Sequence, residues 1–181
     1  MISGTARGHN LKTVKGNSTR PTSDKVKGAL FNILANLIPG STVLDLFAGT
    51  GSLGIEALSR GADFAVFVDK SSESVRIIKE NLTHTKLSDK ALVLSGDSFS
   101  VLKKLSNESR KFDIVFLDPP YRKNLVVESL NYLSNSDIMN NNAIVAAEHD
   151  VNDAVPDELG RFKLVKSRKY GDTVLSFYGL I

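Results

Sequence analysis

The amino-acid sequence predicts an α/β fold with a doubly wound, mostly parallel sheet of seven strands. A C-terminal antiparallel hairpin and a small N-terminal extension complete the predicted architecture. Short apolar runs alternate with helical segments, which is typical of βαβ units with right-handed crossovers. The run from Ile114 to Leu117 is apolar throughout, as expected for a strand covered on both faces. The length of 181 residues allows a sizeable core.

Five strands and four helices alternate through the middle of the chain. The strands are predicted at residues 43–47, 64–69, 91–95, 112–118 and 143–148. The helices are predicted at residues 53–59, 73–85, 99–105 and 126–133. Two further strands, at residues 162–168 and 173–178, are joined by Tyr170-Gly171-Asp172 and form the closing hairpin.

The charge of the chain is unevenly distributed. The whole chain carries +3, but its first 40 residues carry six basic residues and one acidic residue, a balance of +5. A basic segment is typical of proteins that bind nucleic acid, although a solvated face is the alternative. We therefore predict a basic, nucleic-acid-binding extension over residues 1–40 and a main domain over residues 41–181.

The extension is expected to contain a hairpin and a helix. Residues 1–3 and 11–14 are expected to pair as the hairpin. The apolar residues that recur at helical spacing are Val26, Ala29, Leu30, Ile33, Leu34 and Leu37. Lys25 and Lys27 lie off this apolar stripe, so both side chains are expected in solvent.

The composition excludes several classes of protein. The chain has no cysteine, which excludes disulfide scaffolds, thiolate metal sites and cysteine nucleophiles. Its apolar runs are far shorter than the roughly 20 residues that cross a bilayer, and no apolar leader is visible. His9, His84 and His149 have no metal-ligand spacing and are expected on the surface or in loops. We expect a cytoplasmic protein without a metal ion.

A glycine-rich turn follows the first predicted strand. Gly49, Gly51 and Gly54 match the pattern G-x-G-x-x-G, which permits a tight turn and the close approach of a ligand. Dinucleotide enzymes share that pattern. Asp45 is expected to face the ligand beside the turn, where a carboxylate repels a pyrophosphate and favours a cation. The chemistry therefore favours S-adenosylmethionine, with its ammonium and sulfonium groups, over NAD.

Two further carboxylates follow the next two strands, at the edge where open α/β sheets bind ligands. Asp69 ends the second strand and is expected to accept both ribose hydroxyls, the alternative being a solvated strand end. Asp97 follows the third strand and is expected to accept a hydrogen bond from the adenine amino group. Asp97 is also suited to cap the next helix, and the two roles do not exclude each other.

The fourth strand ends in Asp118-Pro119-Pro120-Tyr121, the most specific motif of the chain. The prolines hold the backbone extended and remove two N–H donors. The carbonyl of Pro119 and the carboxylate of Asp118 are then two acceptors beside the ring of Tyr121. This set favours a planar group with an NH₂. Two hydrogen bonds pyramidalise that amine and aim its lone pair at the sulfonium methyl, and in-line positioning supplies the rest of catalysis.

Together these motifs resemble the class I S-adenosylmethionine-dependent methyltransferases, which have a Rossmann-like sheet. Asp/Asn-Pro-Pro-Tyr is shared by DNA adenine-N6, rRNA guanine-N2 and protein glutamine-N5 methyltransferases, so the flanking segments distinguish them. Those segments resemble the bacterial 16S rRNA guanine-N2 methyltransferases of the RsmD type over essentially the whole chain. They are residues 2–12 (ISGTARGHNLK), 20–27 (RPTSDKVK), 30–32 (LFN), 54–62 (GIEALSRGA) and 170–173 (YGDT).

The sequence departs from that family at three positions. Lys25 and Lys27 stand where the family usually has arginine, which keeps the charge and loses bidentate phosphate contacts. Gly28 stands where a glutamate is usual, which puts any ion pair of that position in doubt.

The resemblance implies a transferase that uses S-adenosyl-L-methionine to methylate the N2 amine of one guanine in 16S rRNA. It implies 16S rRNA within a small-subunit assembly particle as the partner, and we expect a monomer without membrane contact. The implied catalytic residues are Asp118, Pro119, Pro120 and Tyr121. The implied cofactor-binding residues are Asp45, Phe47, Gly49, Gly51, Asp69, Lys70, Asp97 and Ser98. The implied RNA-binding residues are Arg7, Arg20, Lys25 and Lys27.

Three other functions stay open on the sequence alone. A DNA adenine-N6 methyltransferase shares the tetrapeptide but usually needs a sizeable target-recognition domain, and only about 40 residues precede the core here. A non-catalytic RNA-binding protein on the same fold is disfavoured, because such a protein would not need the intact Asp118-Pro119-Pro120-Tyr121 motif. An NAD-dependent oxidoreductase is suggested by the glycine-rich turn alone and is disfavoured by Asp45.

Three remaining segments have weaker interpretations. Residues 161–169 contain five basic residues and no acidic one, and a solvated edge strand is expected, with an RNA-binding stripe as the alternative. Asn140-Asn141-Asn142 is expected to form a turn. Glu148-His149 ends the fifth strand. A surface position is expected for this pair, and the alternative is that it lines the pocket for the target base.

Overall fold

The computed structural model describes residues 1–14, 24–121 and 123–181. The strands are β1 (Thr42–Asp45), β2 (Phe64–Asp69), β3 (Ala91–Ser95), β4 (Phe112–Leu117), β5 (Met139–Asp150), β6 (Glu158–Leu159), β7 (Phe162–Tyr170) and β8 (Thr173–Leu180). The helices are α1 (Asp24–Ile33), α2 (Ser52–Ser59), α3 (Ser72–Thr85), α4 (Ser98–Asn107) and α5 (Leu125–Ser134), with a 3₁₀ turn at Ser88–Lys90.

The strands form one sheet in the order β3-β2-β1-β4-β5-β8-β7-β6. β1 to β5 are parallel, whereas β8, β7 and β6 are antiparallel to their neighbours. From β1 the chain moves outward to β2 and β3, and β4 and β5 lie on the other side of β1. The pair β1 and β4 is therefore a topological switch point, where open α/β sheets bind ligands. The predicted α/β class and the closing hairpin are confirmed.

The predicted count of seven strands is wrong, because the described residues form eight. The additional strand, β6, has two residues that pair with Phe162 and Lys163 of β7. So short a strand shows no alternation of polar and apolar residues, and the hydropathy pattern carries no signal for it.

The start of β5 also differs from the prediction. Asn140, Asn141 and Asn142 lie inside this strand and not in a turn. They fall where the register between β4 and β5 shifts, since Phe112 pairs with Met139 but Ile144 pairs with Ile114. The extra residues on β5 are accommodated in this irregularity. A polar run that looks like a turn is thus part of an irregular strand.

Each face of the sheet buries a core. The first core lies against α1, α2 and α3 and includes Phe67 and Phe116. The second lies against α4 and α5 and includes Leu117 and Tyr178. Successive strand residues alternate between the two cores, as the period of a β-strand requires. Both faces of the parallel strands are covered, which explains their continuous apolar runs.

The end of α1 differs from the predicted apolar stripe. The helix ends at Ile33, and the Leu37 amide then donates to the Leu34 carbonyl at 2.8 Å, which tightens the following turn. This turn leaves Leu37 47% exposed and buries Ile38 completely. The expectation that Leu37 belongs to the buried stripe is therefore wrong.

The orientation of α1 places one lysine differently from the prediction. Phe31, which the predicted stripe omits, is fully buried. Lys27 lies one turn before Phe31 on the same side of the helix and is only 6% exposed. Its ammonium lies 4.0 Å from the carboxylate of Asp24. The expectation that Lys27 lies in solvent is wrong, whereas Lys25 is exposed as expected.

The first 14 residues form turns and loops and not the predicted hairpin. The amides of Ile2 and Ser3 donate to the buried carboxylate of Glu56 in α2, each at 2.9 Å. The amide of Ala6 donates to the hydroxyl of Ser59 at the end of α2, also at 2.9 Å. These amides bond to α2, so they do not form the ladder of a β-hairpin.

Candidate active site

The segments that follow β1 and β4 meet at the switch point. Asp45, the last residue of β1, lies beside Phe116 of β4 in the parallel register. Asp118 comes two residues after Phe116. The sheet therefore places the glycine-rich turn and the Asp118-Pro119-Pro120-Tyr121 motif side by side at one edge.

Two glycines give the turn its shape. Gly51 precedes α2 with a φ of +79°, in the left-handed region that favours glycine. Gly54 lies in the first turn of α2, and a Cβ atom there would lie 2.3 Å from the ring of Phe67. A larger residue at Gly54 would thus push α2 away from β2. The turn brings backbone close to the place where a ligand binds at the switch point.

Asp45 is buried beneath the turn. Its side chain is 1% exposed, and its Oδ2 atom accepts a hydrogen bond from the Gly54 amide at 2.9 Å. Burial raises the pKa of Asp45 to about 7, opposed by the Gly54 hydrogen bond and reinforced by the charge of Asp69. The expectation that Asp45 stands beside the turn is corrected, because the carboxylate lies under it.

Asp69 joins the end of β2 to the same turn. Its Oδ2 atom accepts from the Gly49 amide and its Oδ1 atom from the Ser71 amide, each at 2.8 Å. The Gly96 amide donates to the Asp69 carbonyl at 3.1 Å, which links the ends of β2 and β3. Three neighbouring strand ends are thus fixed to one another.

The remaining predicted cofactor residues lie around these strand ends. Asp97 caps α4, since its Oδ1 atom accepts from the Phe99 and Ser100 amides at 3.1 and 3.0 Å. The buried hydroxyl of Ser98 donates to the Leu46 carbonyl at 3.3 Å. Phe47 is half-buried against the second core, and Lys70 is exposed after β2.

Asn81 links the N-terminal extension to the glycine-rich turn. This fully buried side chain of α3 accepts from the Lys12 amide at 2.8 Å and donates to the Lys12 carbonyl at 3.1 Å. It also donates to the Thr50 carbonyl in the turn at 2.9 Å. No sequence pattern indicates this role, since a single asparagine in a helix has no characteristic motif.

The Asp118-Pro119-Pro120-Tyr121 motif is anchored at its last residue. Pro119 is buried, and Asp118 and Tyr121 are half-buried. The Tyr121 hydroxyl donates to the Glu148 carboxylate at 2.7 Å and lies 3.2 Å from the Thr173 hydroxyl. Burial and the Glu148 hydrogen bond raise the pKa of Tyr121 well above its ordinary value, so the hydroxyl stays protonated. Sequence reasoning missed the role of Thr173, although it lies in the YGDT segment.

A cleft of about 360 Å³ opens beside the motif. Its lining includes Pro119, Pro120 and Tyr121 of the motif, Glu148 and His149 of β5, and the start of α5. The surface expectation for His149 is wrong: it is 3% exposed, and its Nε2 atom lies 2.9 Å from the Ser176 hydroxyl. Lining of the cleft by Glu148-His149, the alternative interpretation, agrees with the structure.

The described residues among the predicted RNA-binding residues lie on different elements. Arg7 is exposed next to the last turn of α2, at the end of that helix opposite to the glycine-rich turn. Lys25 is exposed on α1, and Lys27 is buried. Arg20 lies outside the described residues.

Two classes of site are missing from the described residues. In residues 1–14, 24–121 and 123–181, no group of three or more histidines or carboxylates is placed to hold a metal ion. Among the helices of these same ranges, none is long and apolar enough to cross a membrane.

Comparison with known proteins places the chain in a family. Residues 1–179 match the family model described as conserved hypothetical protein 95. Ribosomal RNA small subunit methyltransferase D of Escherichia coli (strain K12) is 32% identical over 178 residues, 98% of this chain and 88% of that protein. The protein of the same name from Haemophilus influenzae is 39% identical over 149 residues, 82% of this chain and 77% of that protein.

Solved structures agree with this placement. The YhhF protein of Escherichia coli matches with a TM-score of 0.87 at 32% identity, over 99% of this chain and 96% of that chain. An RNA methyltransferase from Salinibacter ruber, in complex with S-adenosyl-L-homocysteine, matches with a TM-score of 0.66 at 16% identity, over 89% and 94% of the two chains. At that identity the second likeness concerns the fold alone.

Fold and site together define a Rossmann-like methyltransferase, and the sheet, the turn and the motif all agree with that class. The chain belongs to the family described as conserved hypothetical protein 95, and over most of its length it is similar to the proteins named ribosomal RNA small subunit methyltransferase D. The resemblance inferred from the flanking segments is thereby confirmed.

The buried carboxylate of Asp45 predicts a pH dependence of stability. Its folded-state pKa of about 7 exceeds the ordinary value of 3.8, so the folded protein binds this proton more tightly. The free energy of unfolding should therefore fall as the pH rises from about 4 to about 7, by up to about 4 kcal/mol. In Asp45→Asn this contribution is absent, and urea unfolding at pH 4.5 and pH 8 measures the difference. A constant difference between variant and wild type at both pH values would contradict the burial effect.

Proposed function

We propose that this protein transfers a methyl group from S-adenosylmethionine to the N2 amine of a guanine in small-subunit rRNA. The supporting observation is the position of Asp118-Pro119-Pro120-Tyr121 beside the glycine-rich turn at the switch point. The names of the relatives support small-subunit rRNA as the polymer. The guanine N2 target rests on the resemblance of the flanking segments. In this proposal a single chain acts in the cytoplasm on rRNA within an assembling particle.

The side chains around the turn fit a cationic cofactor. Burial and, to a smaller extent, the charge of Asp69 raise the pKa of Asp45, and a cation bound nearby would favour the charged form of Asp45. Gly49 and Gly51 are both at positive φ, and a Cβ atom at Gly49 would meet nothing within 4 Å, so the backbone is open there. We assign the ribose hydroxyls to Asp69. The two capping amides bond to Oδ1 of Asp97, so its Oδ2 atom is assigned to the adenine amine.

The other predicted cofactor residues have more limited roles. The Ser98 hydroxyl donates to the Leu46 carbonyl, so Ser98 is assigned a contact through its backbone amide at the start of α4. Phe47 supplies an apolar surface at the end of β1, and Lys70 supplies a flexible cation after β2. The proposed cofactor position therefore spans the ends of β1, β2 and β3.

The catalytic motif acts by positioning the amine. S-adenosylmethionine supplies a methyl group that is activated by its sulfonium. The Asp118 carboxylate and the Pro119 carbonyl accept hydrogen bonds from the guanine amine, and the Tyr121 ring stacks against the base. The amine nitrogen would bond to the methyl carbon as the carbon–sulfur bond breaks, which would leave S-adenosylhomocysteine, and the nitrogen would then lose its extra proton to solvent. The motif and the turn hold these atoms in line, which lowers the entropic part of the barrier.

Replacement of Asp118 tests this assignment. Asp118→Ala removes one of the two acceptors and should lower the methylation rate on the order of 10²- to 10³-fold, in line with the loss of other preorganised hydrogen bonds. The measurement is transfer of tritium from S-adenosylmethionine to small-subunit rRNA from cells that lack this protein. Affinities for S-adenosylhomocysteine and RNA should stay unchanged, which also separates an enzyme from a protein that only binds RNA. Full activity of Asp118→Ala, or labelling of DNA instead of rRNA, would contradict the proposal.

A basic surface on one face of the sheet supports RNA binding. Lys166 and Arg168 of β7 lie opposite Phe177 and Leu175 of β8, so their side chains lie on the face of the first core. The described residues of the N-terminal extension, in the first 14 residues and α1, pack on that same face. Within the part of the chain that the structure describes, Arg7, Lys25, Lys166 and Arg168 form no ion pair. We assign phosphate contacts to these four residues, and buried Lys27 is excluded from them.

Charge reversal tests the basic surface. Lys25→Glu combined with Arg168→Glu should weaken RNA binding by about tenfold or more in 0.1 M salt and flatten its salt dependence, because fewer counterions are released. Affinity for S-adenosylhomocysteine should not change. Lys103→Glu, on α4 at the opposite face of the sheet, is the matched control and should bind RNA as wild type does. Equal losses in both variants would indicate a nonspecific charge effect and contradict the assignment.

A further inference from the structure

The hydroxyl of Tyr121 makes hydrogen bonds to side chains of two strands that lie outside the catalytic motif. Its hydroxyl donates to Oε1 of Glu148 at 2.7 Å and lies 3.2 Å from Oγ1 of Thr173. Glu148 lies near the end of β5 and is 5% exposed, and Thr173 is the first residue of β8 and is 6% exposed. Both residues that contact the hydroxyl are therefore buried, and a hydrogen bond to a carboxylate is stronger in such a place than in water.

The two residues that contact the Tyr121 hydroxyl are held in place by the sheet. β5 and β8 pair antiparallel, with Glu148 opposite Leu175 and Asp150 opposite Thr173. Residues directly opposite each other share a face, and so do residues two apart along a strand. Glu148 and Thr173 are thus diagonal neighbours on one face. The Val151 amide also donates to the Asp172 carbonyl at 2.8 Å, which ties the turn before β8 to the end of β5.

The ring of Tyr121 is held at both of its ends. On the backbone side, the rings of Pro119 and Pro120 fix their φ angles and so restrict the chain that leads to Tyr121. On the hydroxyl side, the bond to Glu148 restricts the two side-chain torsions that remain. The ring between these points forms part of the wall of the cleft.

We propose that Glu148 and Thr173 are positioning residues of the methyl transfer, which hold the Tyr121 ring in the plane against which the target base stacks. This inference rests on the proposed function, since it assigns the base to the cleft. The closing hairpin thereby contributes to the active site through β8, although it is far in sequence from the motif. Burial keeps the hydroxyl protonated, so Tyr121 acts as a hydrogen-bond donor and not as a base.

A double-mutant cycle tests whether Glu148 acts through Tyr121. Tyr121→Phe should lower kcat about tenfold to a hundredfold on small-subunit particles, with the KM for S-adenosylmethionine unchanged. Glu148→Ala should cause a similar loss, and the double variant should lose no more than about twofold beyond Tyr121→Phe. Glu148→Gln should recover most of the activity, because its amide oxygen still accepts the bond. Losses that multiply in the double variant, or no loss in Glu148→Ala, would overturn the inference.

Two further measurements separate the role of Glu148 from a loss of folding and from the choice of substrate. Tyr132→Phe removes a tyrosine hydroxyl from α5 and is the matched control, with no expected change in kcat. ¹³Cζ-labelled tyrosine reports deprotonation of Tyr121 by NMR, and Tyr121→Phe assigns its signal. Glu148→Ala should lower the pH at which that signal titrates, and an unchanged titration would overturn the inference. If the wild-type protein methylates no rRNA, the proposed function fails, whereas the titration still decides whether Glu148 holds the tyrosine.

Discussion

The parallel pairing of β1 with β4 is the constraint on which the site depends. The chain leaves these neighbouring strands toward opposite sides of the sheet, and a space opens where their carboxyl ends meet. The glycine-rich turn and the Asp118 motif are each short, so neither makes a site alone. β5 and β8 then extend the same edge and supply the partners of the Tyr121 hydroxyl. The proposed cofactor region and the cleft are thus adjacent parts of one strand junction.

The carboxylates of the candidate site lie at the carboxyl edge of the sheet, whereas the proposed RNA-binding basic residues lie on one face of it. Buried Asp45 bonds to the first turn of α2 and has a raised pKa, which is the cost of holding a carboxylate out of water. A bound cation would offset that cost, so stability and cofactor binding are expected to be coupled. The basic residues lie instead on the face that carries the N-terminal extension. Asn81 joins that extension to the glycine-rich turn through its bonds to Lys12 and Thr50.

The sequence predicts the parallel strands well because periodic hydropathy and glycine turns are local signals. It predicts the strand ends that carry Asp45, Asp69, Asp97 and Asp118 for the same reason. It fails where packing between distant segments decides the outcome. Lys27 is buried because α1 is turned toward Phe31, and the first residues form loops because Glu56 and Ser59 take their amides. The contact of Tyr121 with Thr173 joins residues 52 apart, which no local pattern reveals.

The most direct test of the account is a map of N2-methylguanosine in small-subunit rRNA by mass spectrometry. The rRNA is compared between cells with this protein, cells without it, and cells that express Asp118→Ala instead. The account predicts that one N2-methylguanosine disappears when the protein is removed and returns with the wild-type chain only. An unchanged methylation map after removal, or a map restored by Asp118→Ala, would contradict it.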